Sequence, residues 1–159
     1  MSHLTETLHS LYPQLRHLTA FDGAHRNTPY LSDPDARLHR KLCDSLEQAI
    51  ARSGLKDGMT ISFHHAFREG DQVINNVVAT LAKLGFKNIT LASSSLMTCN
   101  DALIEPIRNG VITRIYTSGM RGKLADAISH GLMEEPVQIH SHGGRVKILQ
   151  DGELKIDVA

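Results

Sequence analysis

Tryptophan is absent from this 159-residue chain, and only three tyrosines and four phenylalanines stand beside ten histidines. Base stacking on aromatic side chains, the sequence-tolerant way to hold single-stranded nucleic acid, therefore has few platforms. Charge of one sign is missing too. Lys plus Arg equals Asp plus Glu at 17 each, which removes the global field that would draw the protein to nucleic acid or to an anionic membrane. Any basic site has to be local. The two cysteines, Cys43 and Cys99, lie far apart and supply no disulfide framework, which fits two free thiols in a reducing cytoplasm. No apolar run approaches the ~18 residues of a spanning helix. The opening Met1-Ser2-His3-Leu4-Thr5-Glu6 has neither a charged leader nor a long apolar stretch. A cytoplasmic protein with no nucleic-acid and no membrane partner is the expectation. The length fits about one domain on a prior of ~100–200 residues each, enough to bury a core.

Residues 1–32 read as a polar amino-terminal arm, with a short helix near Thr5 to Leu11 and turn chemistry at Asp22-Gly23 and Asn27-Thr28-Pro29. The domain is expected over 33–159. Its first helix opens at Asp33 as N-cap with Pro34 next, sets Leu38, Leu42, Leu46, Ala49 and Ile50 on one face, and stops at Gly54. Alternation follows. A strand at Met59 to Phe63 leads to a helix from Asp71 to Leu84 that buries Val73, Ile74, Val77, Val78 and Leu81. A strand at Asn88 to Ala92 leads to a helix near Asp101 to Asn109. A strand at Ile112 to Thr117 leads to a helix from Lys123 to His130, and a last strand spans Val137 to His140. This β-α-β-α-β-α-β order predicts an α/β fold: an open, mainly parallel sheet with right-handed crossovers and flanking helices. Beyond it, Asp151-Gly152 between Arg145–Gln150 and Glu153–Val158 predicts a closing antiparallel hairpin.

Two loops stand out, His64-His65-Ala66-Phe67-Arg68-Glu69-Gly70 and His140-Ser141-His142-Gly143-Gly144-Arg145, each directly after a strand. Ligands of open α/β sheets bind beyond the carboxyl ends of strands, so the two loops suggest one shared site. The loop Ser118-Gly119-Met120-Arg121-Gly122 before a helix suits phosphate or carboxylate best, since backbone N–H groups and the helix dipole converge there. Glycines also end strands for turn geometry alone, and both readings stand. Arg68 could grip a carboxylate in bidentate fashion or pair with Glu69 or Asp71, while Asp71 reads first as a helix N-cap. His64, His65, His140 and His142 invite a zinc reading. Zinc requires three or four ligands, however, and neighbours on a strand point to opposite faces, so no metal is expected; His140 and His142 would share a face. Ser93, Ser94, Ser95, Cys99 and Ser118 lack an elbow motif, and the three serines either turn the chain or donate to a ligand. From the residues alone, the chain is an anion-binding α/β domain.

Four runs extend that reading: SGLKDGMTISFHHAFREGD (53–71), LASSSL (91–96), NGVITRIYTSG (109–119) and PVQIHSHGGR (136–145). Through them, Lys41 to Ala159 resembles the α subunit of bacterial citrate lyase, the citrate CoA-transferase subunit. The resemblance implies a CoA-transferase-like amino-terminal half of a two-halved α/β fold. It implies the reaction of acetyl-acyl carrier protein with citrate to give citryl-acyl carrier protein and acetate, within an ATP-independent citrate lyase of citrate fermentation. A β subunit (the citryl lyase) and a γ subunit (the acyl carrier protein) would be the partners, and the only cofactor a CoA-like phosphopantetheine on the γ subunit, with none bound tightly here.

Related CoA-transferases have a Gly-rich loop after the first strand that supplies oxyanion-stabilising amides; here the stretch is His64 to Phe67, so His64 or His65 would donate instead. The resemblance thus implies His64, His65, Arg68, His140, His142 and Arg145 as substrate-binding candidates. Ser93, Ser94, Ser95, Gly119, Arg121 and Gly122 are the candidates for the carrier's phosphopantetheine. The carboxylate nucleophile of such enzymes belongs to the second half of their fold, and no residue here is assigned that role. An amino-terminal fragment, inactive alone and with an exposed sheet edge prone to self-pairing, is the corresponding expectation. Two other classes stay open: a non-catalytic anion-binding or assembly module, and a sugar-phosphate isomerase-like enzyme.

Overall fold

A computed structural model describes residues 3–16, 42–64 and 70–159. The chain divides into two compact units, Met1–Leu42 and Cys43–Ala159. In the first, α1 (His3–Leu11) is followed by a 3-10 turn at Pro13–Leu15. The expected arm boundary at residue 32, the turns at 22–23 and 27–29 and the N-cap at Asp33 lie outside the described residues.

The second unit opens with α2 (Leu46–Ser53), not with the continuation of a helix from Asp33. Ser45 is extended at φ −154° and ψ 166°, and its Oγ accepts the Gln48 N–H at 3.2 Å. Gln48 Oε1 in turn accepts the Asp44 N–H at 2.7 Å, so orphan donors at the helix start are met from both sides. Residues 42–45 are not helical: Leu42 and Leu46 are exposed, and among the described residues of the expected stripe only Ile50 is buried, Leu38 lying outside them.

The alternation then appears as β1 (Thr60–Phe63), α3 (Val73–Lys83) and β2 (Ile89–Ser93). In α3, Ile74, Val78 and Leu81 follow i, i+4, i+7 and are buried. Val73, expected inside, is 55% exposed, because the helix begins at that residue and its stripe runs one position later. A 3-10 segment at Thr98–Leu103 runs into the short α4 (Ile104–Arg108) where a single helix from Asp101 was expected. Pro106 explains the split, since it cannot donate back to Ala102 and leaves the preceding turn to tighter pairing. β3 (Ile112–Thr117), α5 (Gly122–Ser129), the two-residue β4 (Gln138–Ile139) and α6 (His142–Gln150) complete the unit.

All pairings are parallel, in the order β1-β2-β3-β4. Register aligns Ile61, Leu91 and Ile115 in one row and Ser62, Ala92 and Tyr116 in the next, so the rows face opposite sides of the sheet. The first row belongs to the main core, with Ile50, Ile74, Val78, Leu81, Leu103, Ile107 and Leu124 from α2 to α5 and the turn before α4. The second row meets a smaller cluster in which Ala92, Ile148 and Leu154 pack with Tyr116 and Ile156.

The closing antiparallel hairpin does not form. Residues 145–150 belong to α6, started by Ser141, whose Oγ accepts the Gly144 N–H at 3.0 Å. Gly152, at φ +78°, follows the last turn, so Asp151-Gly152 ends a helix where it was expected to reverse a strand. The sequence has no means of separating those uses, because both need the left-handed conformation that Gly supplies. Leu154 then turns inward onto Ile148, and Val158 bridges Ile61 in parallel, with Ser62 N–H donating to Val158 O at 2.8 Å.

Candidate functional site

The loops beyond the four strands continue the sheet's hydrogen bonding past its formal end. Ser94 N–H donates to Phe63 O at 3.1 Å, Ser118 N–H to Ser94 O at 3.0 Å and His140 N–H to Thr117 O at 2.9 Å. This ladder sets His64, the Ser93–Ser95 turn, the Ser118–Gly122 loop and the His140–Arg145 loop side by side. The position is the one at which open α/β sheets bind ligands. His64 is exposed there; His65 and Arg68 lie outside the described residues.

Arg145 is the best-defined cation of the row. It sits in the first turn of α6, half-buried, with Nη2 donating to Ser62 Oγ at 2.8 Å and to Ala92 O at 3.3 Å. Burial pushes its pKa below the usual arginine value, and among the described residues no carboxylate pairs with it. A guanidinium has five donors in a planar fork, so neutral partners on one nitrogen leave others for a carboxylate. His140 is also half-buried and stacks on Tyr116 with ring centroids 6.3 Å apart and planes at 11°. Its Nε2 is buried without a hydrogen-bond partner among the described residues, as is Ser118 Oγ. Tyr116, Thr117, His140, Arg145, Ile148 and Leu154 together line a narrow crevice between the sheet and α6. His142, by contrast, is exposed at the first position of α6, so it does not share the face of His140 as a strand would have required.

The carrier candidates divide by burial. Ser93 is fully buried, its Oγ donating to Ser95 O at 2.9 Å, and Ser94 is 4% exposed with its backbone in the ladder. These two build the turn. Ser95, Gly119 and Gly122 are half-buried and Arg121 is exposed. Both nearby carboxylates serve as helix caps: Asp71 Oδ1 accepts the Val73 N–H at 2.9 Å, and Asp101 Oδ1 accepts the Leu124 N–H at 3.0 Å. Among the described residues no three His, Cys, Asp or Glu side chains gather into a metal-binding group. Sequence reasoning missed Ser62, Tyr116 and Asp101. The first two carry a signal only once register is known, since both flank Ala92 on one face of the sheet. A cleft of about 260 Å³ lined by Ile107, Arg108, Ile112, Leu132, Glu134 and Glu135 lies at the amino end of β3, away from these loops.

The family model for the citrate lyase alpha subunit (CitF) matches residues 39–159. The citrate lyase alpha chain of Klebsiella pneumoniae is 58% identical over 159 residues, all of this chain and 31% of that protein. The alpha chain of Escherichia coli K12 is 68% identical over 120 residues, 76% of this chain and 24% of that one. A crystal structure of the putative alpha subunit of citrate lyase from Streptococcus mutans in complex with citrate matches with a TM-score of 0.71 and 51% identity. It covers 73% of this chain and 23% of that one. The chain thus spans about a third or less of the length of these relatives. The family model and the Klebsiella pneumoniae alignment both span all four quoted runs, and the chain belongs to the citrate lyase alpha-subunit family.

Proposed function

We propose that this chain supplies the citrate-binding half of a citrate CoA-transferase site, which exchanges acyl groups on an acyl carrier protein. Acetyl thioester and citrate enter; citryl thioester and acetate leave. The carrier's sulfur is retained, one citrate carboxylate becomes the new acyl group, and no water is consumed. The half-buried Arg145 guanidinium, which pairs with no carboxylate among the described residues, carries the reading, because a tricarboxylate is a ligand class that would complete it. That the Streptococcus mutans relative forms a complex with citrate supports citrate as the ligand of the family.

In this reading Arg145 holds a citrate carboxylate and His140 offers its unpartnered Nε2 to a further oxygen. His64 and His142, with His65 and Arg68 as the family resemblance implies, bind the remaining carboxylates or the developing oxyanion. Ser95, Gly119 and Arg121 face the carrier's phosphopantetheine, on a platform set by Ser93, Ser94 and Gly122. The nucleophilic carboxylate is supplied from outside these residues, and the β and γ subunits of the lyase are the partners. In the complete alpha chain, Arg68→Ala is expected to raise the citrate KM; an unchanged KM would remove the His64 to Gly70 loop from the site. The reaction assignment itself is tested by acetyl-to-citrate exchange on purified acetylated carrier. Exchange by the complete alpha chain supports it, and its absence with an intact carrier overturns it.

A further inference from the structure

On sequence alone, the start of α5 is the best anion cradle in the chain, with two glycines before it and Arg121 and Lys123 beside it. The structure fills that place from within. Asp101, in the 3-10 segment after β2, puts Oδ1 3.0 Å from the N–H of Leu124, the third residue of α5. A helix N-terminus carries roughly half a positive elementary charge in its unpaired N–H groups, and a carboxylate at this position answers both the charge and an orphan donor. Gly122 shows how tightly the two are packed. It lies at φ +76°, and a Cβ there would stand 2.8 Å from Asp101 Oδ1 and 3.0 Å from Thr98 Cα. Nearby, Leu96 N–H donates to Gly119 O at 2.9 Å and Arg121 N–H to Leu96 O at 3.0 Å. With Ser118 N–H on Ser94 O, four hydrogen bonds among the described residues therefore fasten the loop after β3 to the loop after β2. The second loop is itself tied to α3. Asn100 Nδ2 donates to Asn75 Oδ1 at 3.1 Å, and Asn75 Nδ2 donates to Cys99 O at 2.7 Å, with both asparagines buried.

We propose that Asp101 is a positioning residue. Its carboxylate is the resident anion of the α5 N-terminus, it holds the loops after β2 and β3 as one body, and it excludes free phosphate from the helix amides. The phosphate groups of a phosphopantetheine are then met at this corner by the Arg121 side chain, a step that rests on the carrier reading above. Occupancy of the helix end by Asp101 stands independently of that reading.

The test uses the 159-residue chain with inorganic phosphate as the probe, followed by amide resonances. In the unaltered chain, Gly122, Lys123 and Leu124 are expected to show no saturable shift. In Asp101→Ala, the same amides should shift and saturate, and Leu124 should exchange its amide proton about fivefold faster, as loss of a helix cap requires. Saturable shifts in the unaltered chain overturn the proposal, as does a folded Asp101→Ala variant that leaves phosphate binding and Leu124 exchange unchanged. If Asp101→Ala does not fold, Asp101→Asn carries the test. It keeps an acceptor oxygen and removes the charge, so phosphate-dependent shifts at Gly122 and Lys123 must appear, and their absence overturns the proposal. In the complete alpha chain, Asp101→Asn should raise the KM for the acetyl carrier and leave the citrate KM within twofold. An equal change in both would mark a merely structural residue. Loss of the transferase reading altogether would leave the phosphate result untouched.

Discussion

A guanidinium held half-buried over a row of neutral strand residues gains from its hydrogen bonds and loses from desolvation, and the balance decides how Arg145 should respond to mutation. Hydrogen bonds from a charged donor contribute about 1.5–3 kcal/mol, and burial of the charge opposes much of that. The lowered pKa of Arg145 has desolvation as its cause, which shows the opposing effect at this residue. Arg145→Met, which keeps an unbranched stem in the crevice that Ile148 also lines and removes both charge and donors, is therefore expected to change unfolding free energy by no more than about 1 kcal/mol. The same variant should weaken citrate binding at least tenfold by calorimetric titration. Arg145→Lys should recover little of that affinity, because an ammonium lacks the planar fork. A variant that unfolds readily while the folded fraction binds citrate normally would make Arg145 a clamp between α6 and the sheet.

At the scale of elements, the latching of loops makes two glycines unequal although their backbones are alike. Gly122 and Gly131 both have positive φ, at +76° and +88°, but a Cβ at Gly131 meets nothing within 4 Å. Alanine at Gly131 should cost only the conformational strain, about 1 kcal/mol, whereas alanine at Gly122 adds a collision with backbone at Thr98 and should cost clearly more. Equal losses of Tm would mean that the loops after β2 and β3 are not fastened as described. A second element depends on pH. Asp157 Oδ2 accepts the Thr60 N–H at 3.0 Å, and this hydrogen bond, with Lys155 beside it, holds the Asp157 pKa below its ordinary value. A depressed folded pKa means that the stabilisation is complete above the unfolded carboxylate pKa and is lost as pH falls through the folded one. The protection factor of the Ser62 amide, which donates to Val158, should therefore fall as pH drops through that acid window once the intrinsic pH dependence of amide exchange is divided out, and Asp157→Asn should flatten the response.

These same elements show what could be read in advance. β3 at 112–117 and the buried stripe of α3 are legible because period 2 and period 3.6 are local properties of the chain. The role of Asp101 is not, since its partner Leu124 lies 23 residues away and is brought near only by packing. Asp151-Gly152 is ambiguous for the opposite reason: its local signal is strong, and a hairpin turn and a helix end share it. Of the site, the position of the loops was legible from strand ends. The split between an inward His140 and an outward His142 depended on α6 beginning where a strand was expected to end.

At the scale of the whole second unit, its described residues cover the two faces of the sheet unequally. One face packs against α2 to α5 in the main core, and the other meets α6 and the 151–156 segment through a small cluster around Ala92, Ile148 and Leu154. The side chains proposed for citrate, Arg145 and His140, lie on the thinly covered side, beside α6. In the proposed reading, citrate binding draws on these two donors, which the sheet and Ser62 hold in place, together with the His64 loop. In that reading exchange needs more, a carboxylate to take the acyl group, and among the described residues the carboxylates beside these loops, Asp71 and Asp101, are engaged as helix caps. The 159-residue chain, spanning 31% of its Klebsiella pneumoniae relative, is therefore expected to bind citrate by calorimetry and to show no acetyl-to-citrate exchange on acetylated carrier. Binding should vanish in Arg145→Met without loss of fold. Detectable exchange by this chain would place the nucleophile within these residues and reopen the assignment of Glu69, which precedes Asp71 by two positions. Absence of citrate binding in a folded chain would instead move the tricarboxylate site to the part of the relatives that lies beyond the matched third.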